Sequence, residues 1–317
     1  MTDVLVLRHN IHGMPISRYV AALRERLPDY DVAVARTPAE GREMVSDATV
    51  LTGVELPEEL LDRADSLELY ASIYAGYDHL PLSELAAHDI ALTTASGVHG
   101  PNIAEHVIGN WLAFARGFLT ARDQQQDHVW QSFHSTDFAG STVCIVGLGA
   151  IGQAIVDRLD GFDVETVGVR YSPEKGGPTD EVYGFDEIHE AVVDAKFVGI
   201  ACPLTDATRH LFDEAVFDTL HPSTIVSNVA RGPVVETDAL VDALQHNNLG
   251  GAALDVTDPE PLPNDHPLWD FDNVLITPHS AGHTESYFER LADIVAENVQ
   301  RHEETGSWDD LRNQIDL

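Results

Sequence analysis

An apolar run at 141–146 leads without interruption into Gly147, Leu148, Gly149, Ala150, Ile151 and Gly152, and a helical pattern follows from 153 to 159. Strand, tight glycine turn and helix start, in that order, are what a dinucleotide pyrophosphate requires. Gly147 permits the turn, Gly149 lets backbone approach phosphate oxygens, and Gly152 lets the helix lie close on the strand. The unpaired N–H groups and positive dipole end of the new helix then meet the negative charge. Glycine spacing alone is a weak signal; the strand before it and the helix after it make it specific.

The rest of the chain repeats the strand and helix alternation. Short apolar runs at 4–7, 32–35, 50–52, 67–73 and 90–93 are separated by helical patterns at 17–27, 38–46, 58–63 and 82–88. A longer helix is expected over 103–123. The strands then resume at 143, 164–169, 197–201, 225–228, 252–254 and 274–276 as near-continuous apolar runs, the pattern of strands buried on both faces. The fold class expected is α/β, with two doubly wound parallel-sheet domains flanking a cleft. Residues 101–280 form a Rossmann-type cofactor domain. Residues 1–100 with 281–317 form a flavodoxin-like substrate domain completed by a helix at 286–304. Linkers are expected at 95–102 and 279–284, where glycine and polar residues gather.

Charge narrows the partners. Fifty-three acids face eighteen bases, for a formal charge of −35, and only Lys175 and Lys196 are lysines. Such a surface repels nucleic acid and anionic membranes. Acids scattered along a lysine-poor chain resemble the surfaces of proteins from salt-accumulating organisms, where ionic strength screens self-repulsion. Cys144 and Cys202 lie in apolar runs and make no disulfide framework. With no leader pattern before the first strand and no long apolar span, a cytoplasmic location is expected.

Eighteen residues beyond Gly152, a strand ends at Arg170 where NAD-selective sites place an acid on the adenosine ribose. Here Arg170, Tyr171, Ser172 and Lys175 stand instead, a set suited to a 2′-phosphate. NADP(H) is the expected cofactor and NAD(H) the alternative. Three further groups follow strands: Arg231, then Glu260 in a proline-rich loop, then His279 after Pro278. In a parallel sheet, ligands bind beyond the carboxyl ends of the strands. An arginine fork suits a carboxylate, a histidine can donate a proton near neutral pH, and a carboxylate beside it fixes its orientation. His9, His12, His88, His99, His106, His134 and His283 are rivals by residue type alone, and Asp258 rivals Glu260. Glu105 and His106 lack partners at metal-ligand spacing, so no metal is expected. Met14 and Trp130 are candidates either for the border of a substrate pocket or for packing.

These motifs, with the 229–232 stretch, Asp255 followed by Glu260 and Pro261, and the 278–284 stretch, make the chain resemble the D-isomer-specific 2-hydroxyacid dehydrogenases over almost its whole length. The resemblance implies Arg231 as substrate anchor, Glu260 as orienting acid and His279 as proton donor. It also implies that Cys202 and Pro203 line the cofactor and that Thr208 caps the diphosphate side. Val229, Ala230, Arg231, Asp255, His279 and Gly282 border the nicotinamide. Tyr74, Ala75 and Gly76 resemble the substrate loop, with backbone N–H groups of Ala75 and Gly76 on the carboxylate. The partners implied are a small 2-oxo or 2-hydroxy acid and a second copy in a homodimer that uses the 103–123 helix. Ala150 replaces an arginine that many relatives carry. The same fold also serves as a dinucleotide-responsive co-repressor and as formate dehydrogenase. Retention of Arg231, Glu260 and His279 together argues against the first, and no feature supports the second.

Overall fold

The computed structural model describes residues 3–8, 13–77 and 79–317, so His9 and His12 lie outside the described residues. The chain divides into two compact units, Met1–His99 with His283–Leu317, and Gly100–Gly282.

In the first unit β1 (Val4–Leu7), β2 (Val32–Ala35), β3 (Val50–Gly53), β4 (Leu69–Ser72) and β5 (Ala91–Thr93) run parallel in the order 2-1-3-4-5. Side-chain alternation splits each strand between two cores. Val4, Val6, Leu69 and Ala71 face the helices Ser17–Arg26 and Tyr287–Thr305, whereas Leu5, Leu51 and Tyr70 face the opposite layer. Met14 belongs to the first of these cores and is a packing residue.

The second unit holds β6 (Thr142–Val146), β7 (Glu165–Val169), β8 (Glu181–Tyr183), β9 (Phe197–Ile200), β10 (Ile225–Asn228), β11 (Gly251–Leu254) and β12 (Val274–Ile276). All are parallel, in the order 12-11-10-9-6-7-8, and the order reverses between β6 and β9. Ligands of open α/β sheets bind at such a reversal. Cys144 and Val146 of β6 join one core, Val143 and Ile145 the other, which is why the strand reads as unbroken apolar sequence.

The chain then returns to the first unit. Asn298, fully buried in the last helix, donates from Nδ2 to the Arg312 carbonyl at 3.1 Å and accepts from the Arg312 N–H at 2.8 Å. The strand β13 (Gln314–Ile315), too short to be recognised in the sequence, pairs antiparallel with β5.

One expectation is corrected. The helix over 103–123 is two helices, Gly100–Ala115 and Phe118–Gln126. Gly117 breaks them with a left-handed φ of +68°. The Phe133 ring packs so close that a Cβ at Gly117 would stand 2.5 Å from it. The second helix buries none of its residues, and Trp130 beyond it is fully exposed. No helix among the described residues is long and apolar enough to cross a membrane.

Candidate active site

The glycine turn joins β6 to the helix Ala150–Leu159. Gly147 has φ +104°, and a Cβ there would meet the backbone nitrogen of Cys202 at 2.5 Å. The turn after β6 and the loop after β9 therefore touch at the reversal point, with only backbone between them. A Cβ on Gly152 would overlap the Gly147 carbonyl oxygen, so helix and turn pack as closely as the motif requires. Around Gly149 there is open space, and no side chain caps the helix it begins. The uncapped N–H groups and the open glycine fit a dinucleotide phosphate.

Cys202 is buried, and its burial pushes the thiol up to about 12. So high a value makes the thiol a poor nucleophile. Thr208 is engaged within its own loop. Its hydroxyl donates to the Pro203 carbonyl at 2.6 Å and accepts from the Thr205 N–H at 2.8 Å, and the residue is fully buried. That hydroxyl shapes the 203–208 loop.

Arg170 follows β7, its Nη1 donating to the Gly176 carbonyl at 2.6 Å. This bond folds the 170–176 turn back on itself. Tyr171 and Lys175 are exposed on that turn and Ser172 is half-buried. In the first unit, Tyr74, Ala75 and Gly76 form an exposed turn after β4, where the Tyr74 N–H donates to Ser72 Oγ at 3.2 Å.

Three adjacent strands carry the remaining groups. Arg231 comes just after β10, Asp255 just after β11, and His279 shortly after β12. Val229 and Ala230 are buried between β10 and Arg231, and Asn228 Nδ2 donates to the Arg231 carbonyl at 3.1 Å. A Cβ on Gly232 would overlap the Thr257 carbonyl, so the loop after β10 lies directly on the loop that leads to Glu260. Glu260 Oε2 accepts from His279 Nδ1 at 3.0 Å while Oε1 accepts the Thr257 N–H at 3.2 Å. Glu260 and His279 are thus brought together, 19 residues apart in sequence. His279 takes a left-handed φ of +50°. Its N–H donates to the Asp255 and Thr277 carbonyls, each at 2.9 Å. A cavity of about 710 Å³ opens beside the pair, walled by Leu262, Trp269, Ile276 and Pro278.

Asp255 is 4% exposed. Its Oδ1 accepts from Thr277 Oγ1 at 2.6 Å and from the Ser280 N–H at 2.8 Å, and its Oδ2 accepts the Ala281 N–H at 2.9 Å. Those bonds gather the stretch that carries His279 and ends at half-buried Gly282. Sequence reasoning missed Thr277, whose only signal was its place two residues before His279. Glu105 faces Arg158 at 3.9 Å, and the described residues contain no cluster of three or more histidine, cysteine or acidic side chains able to hold a metal.

The model of the D-isomer specific 2-hydroxyacid dehydrogenase NAD-binding domain matches residues 108–281. A glyoxylate reductase of Thermofilum pendens is 36% identical over 255 residues, covering 77% of this chain and 74% of that protein. A D-isomer specific 2-hydroxyacid dehydrogenase family protein of Aeromonas salmonicida superposes with a TM-score of 0.79 at 31% identity, covering 100% of this chain and 99% of the other. One from Xanthobacter autotrophicus, solved with NADPH and MES, superposes at 0.78 with 27% identity, covering 100% and 98%. With the glycine turn at the sheet reversal and these matches, the chain belongs to the D-isomer specific 2-hydroxyacid dehydrogenases, NAD(P)-dependent oxidoreductases of small 2-hydroxy and 2-oxo acids.

Proposed function

We propose that the protein reduces a small 2-oxo acid to the D-2-hydroxy acid, with His279 as proton donor, Glu260 as its orienting base and Arg231 as carboxylate anchor. The observation that carries this reading is the 3.0 Å bond between His279 Nδ1 and Glu260 Oε2, placed after β11 and β12 next to the Arg231 loop. When bound, the nicotinamide dinucleotide supplies the hydride. The 147–152 turn holds its diphosphate, and Arg170 with Lys175 holds a 2′-phosphate.

Reduction of a carbonyl leaves negative charge on oxygen, which needs a proton at that atom. Nδ1 of His279 is committed to Glu260, so Nε2 delivers it. Glu260 keeps the imidazole in one orientation and offsets its charge until transfer. The guanidinium of Arg231 forms a two-point pair with the carboxylate and polarises the adjacent 2-oxo group. Substrate contact is also assigned to Tyr74, Ala75 and Gly76, and the active form is assigned as a homodimer.

The test follows NADPH and NADH absorbance with glyoxylate, hydroxypyruvate, pyruvate and a branched 2-oxo acid in concentrated salt. Turnover of at least one, abolished in His279→Ala with NADPH binding retained, supports the reading. Unchanged turnover in His279→Ala removes it as the acid. Absence of turnover with every acid, together with nucleotide-dependent capture of a protein partner, would make the chain a co-repressor instead.

A further inference from the structure

We propose that Thr277 and His106 are positioning residues for the proton donor. Together they form a hydrogen-bonded chain from the helix Gly100–Ala115 through the Asp255 carboxylate to the loop that carries His279. The inference rests on the assignment of His279 as that donor.

A left-handed backbone is costly for a residue with a Cβ and persists only where its surroundings enforce it. His279 has φ +50°, so something must hold it there. Asp255 does so from below. Its backbone carbonyl takes the His279 N–H, and its carboxylate takes the N–H groups of Ser280 and Ala281. A carboxylate buried to this degree keeps its place only if its lone pairs stay satisfied. The shortest bond it receives from a side chain comes from Thr277 Oγ1, at 2.6 Å.

That bond fixes the rest of the chain. A hydroxyl has one proton, and Thr277 gives it to Asp255, so Oγ1 can only accept from His106 Nε2 at 3.3 Å. His106 therefore carries its proton on Nε2, and it selects the Thr277 rotamer that serves Asp255. The same helix reaches the loop a second time, one turn earlier, where Asn102 Nδ2 donates to the Ala281 carbonyl at 2.8 Å. The helix is a firm base for this grip. Trp111 is fully buried against β9, where a Cβ on Gly199 would lie 3.1 Å from its ring. At its start, a Cβ on Gly100 would lie 3.1 Å from the Ala154 Cβ. Both ends of the 277–281 stretch are thus tied to one rigid helix, with His279 between them.

A misplaced proton donor slows transfer without loosening the cofactor. Thr277→Val removes the hydroxyl at nearly constant shape, and Thr277→Ser restores it. His106→Leu removes the outer donor, and His106→Gln keeps an N–H near Nε2. With glyoxylate and NADPH, or whichever 2-oxo acid the wild type turns over, Thr277→Val should lower kcat by about 10- to 100-fold. The NADPH dissociation constant should stay within about two-fold, because the phosphate contacts are untouched. The solvent deuterium isotope effect on kcat should rise as proton delivery becomes limiting. Thr277→Ser should recover most of kcat. His106→Leu should cost about five-fold, as loss of one outer hydrogen bond would, and His106→Gln should cost less.

If Thr277→Val and His106→Leu both fold and turn over at wild-type rate, the proposal is overturned. It is also overturned if kcat falls only in step with NADPH affinity or thermal stability, with the isotope effect unmoved, because that is a structural role. His279→Ala run in parallel separates the two ideas. Full activity there sinks the donor assignment, whereas an inactive His279→Ala beside unaffected Thr277 and His106 variants sinks only the positioning chain.

Discussion

Gly147 and Cys202 approach so closely that a methyl group on the glycine would stand 2.5 Å from the cysteine's backbone nitrogen. Both loops leave adjacent parallel strands, β6 and β9, and neither can retreat without breaking its strand's register. Gly147 also holds φ +104°, a region closed to residues with a Cβ. Gly147→Ala should cost at least about 2 kcal/mol in stability and abolish NADPH binding. Urea denaturation with fluorescence titration of NADPH checks both, and tight binding by the variant would contradict the cradle.

The two thiols should be silent in the native protein. Burial pushes both Cys144 and Cys202 up to about 12. At about pH 8 their thiolate fraction is negligible. A disulfide reagent should titrate no thiol without denaturant and two with it. Rapid native reaction at either cysteine would show that its strand end opens.

His106 gives stability a pH dependence of known sign. Burial holds it below the usual histidine value of 6.5, partly offset by the Asp255 charge. The unfolded chain therefore binds a proton in a range where the folded protein does not. Stability from this group is present above the unfolded value and declines as pH falls from there toward the folded one. His106→Gln has no such proton, so its melting temperature should fall less between about pH 7 and pH 5 than that of the wild type. Equal slopes would mean that the imidazole is hydrated.

Arg170→Asp should reverse cofactor choice, because an acid after β7 repels a 2′-phosphate and accepts from ribose hydroxyls. The ratio of kcat/KM for NADPH to that for NADH should drop by at least about ten-fold. An unmoved ratio would return Arg170 to the structural task it already performs on the Gly176 carbonyl.

A formal charge of −35 should make stability depend on salt. Raising potassium chloride from about 0.1 M to about 2 M shortens the screening length from roughly 10 Å to a few ångströms. The melting temperature should climb steeply over that range. A flat response would set aside the likeness to proteins of salt-accumulating organisms.

What could be read in advance follows from how local each signal is. The β6–glycine–helix unit was legible because strand period, turn chemistry and helix period sit in contiguous residues. Glu260 and His279 were legible as strand-end groups whose pairing the family resemblance implied, and their 3.0 Å contact follows from the sheet order that sets β11 beside β12. The break at Gly117 escaped because one glycine in a helical pattern does not declare a positive φ, and the Phe133 ring that leaves no room for a side chain there comes later in the chain. β8 escaped because Glu181, Val182 and Tyr183 carry little apolar signal, being an edge strand. The partnership of His106 with Thr277 spans 171 residues, and nothing near either residue announces it.

The final helix and β13 complete a sheet whose other strands all come from the first hundred residues. A ribosome therefore releases the amino-terminal portion long before its covering layer exists. The continuous 100–282 unit has everything it needs first. Until Tyr287, Phe288 and Leu291 emerge, the apolar face formed by Val4, Val6 and Ala71 stays wet and β5 keeps an open edge. Truncation near the carboxyl terminus should for that reason yield insoluble nascent protein rather than a weakened enzyme.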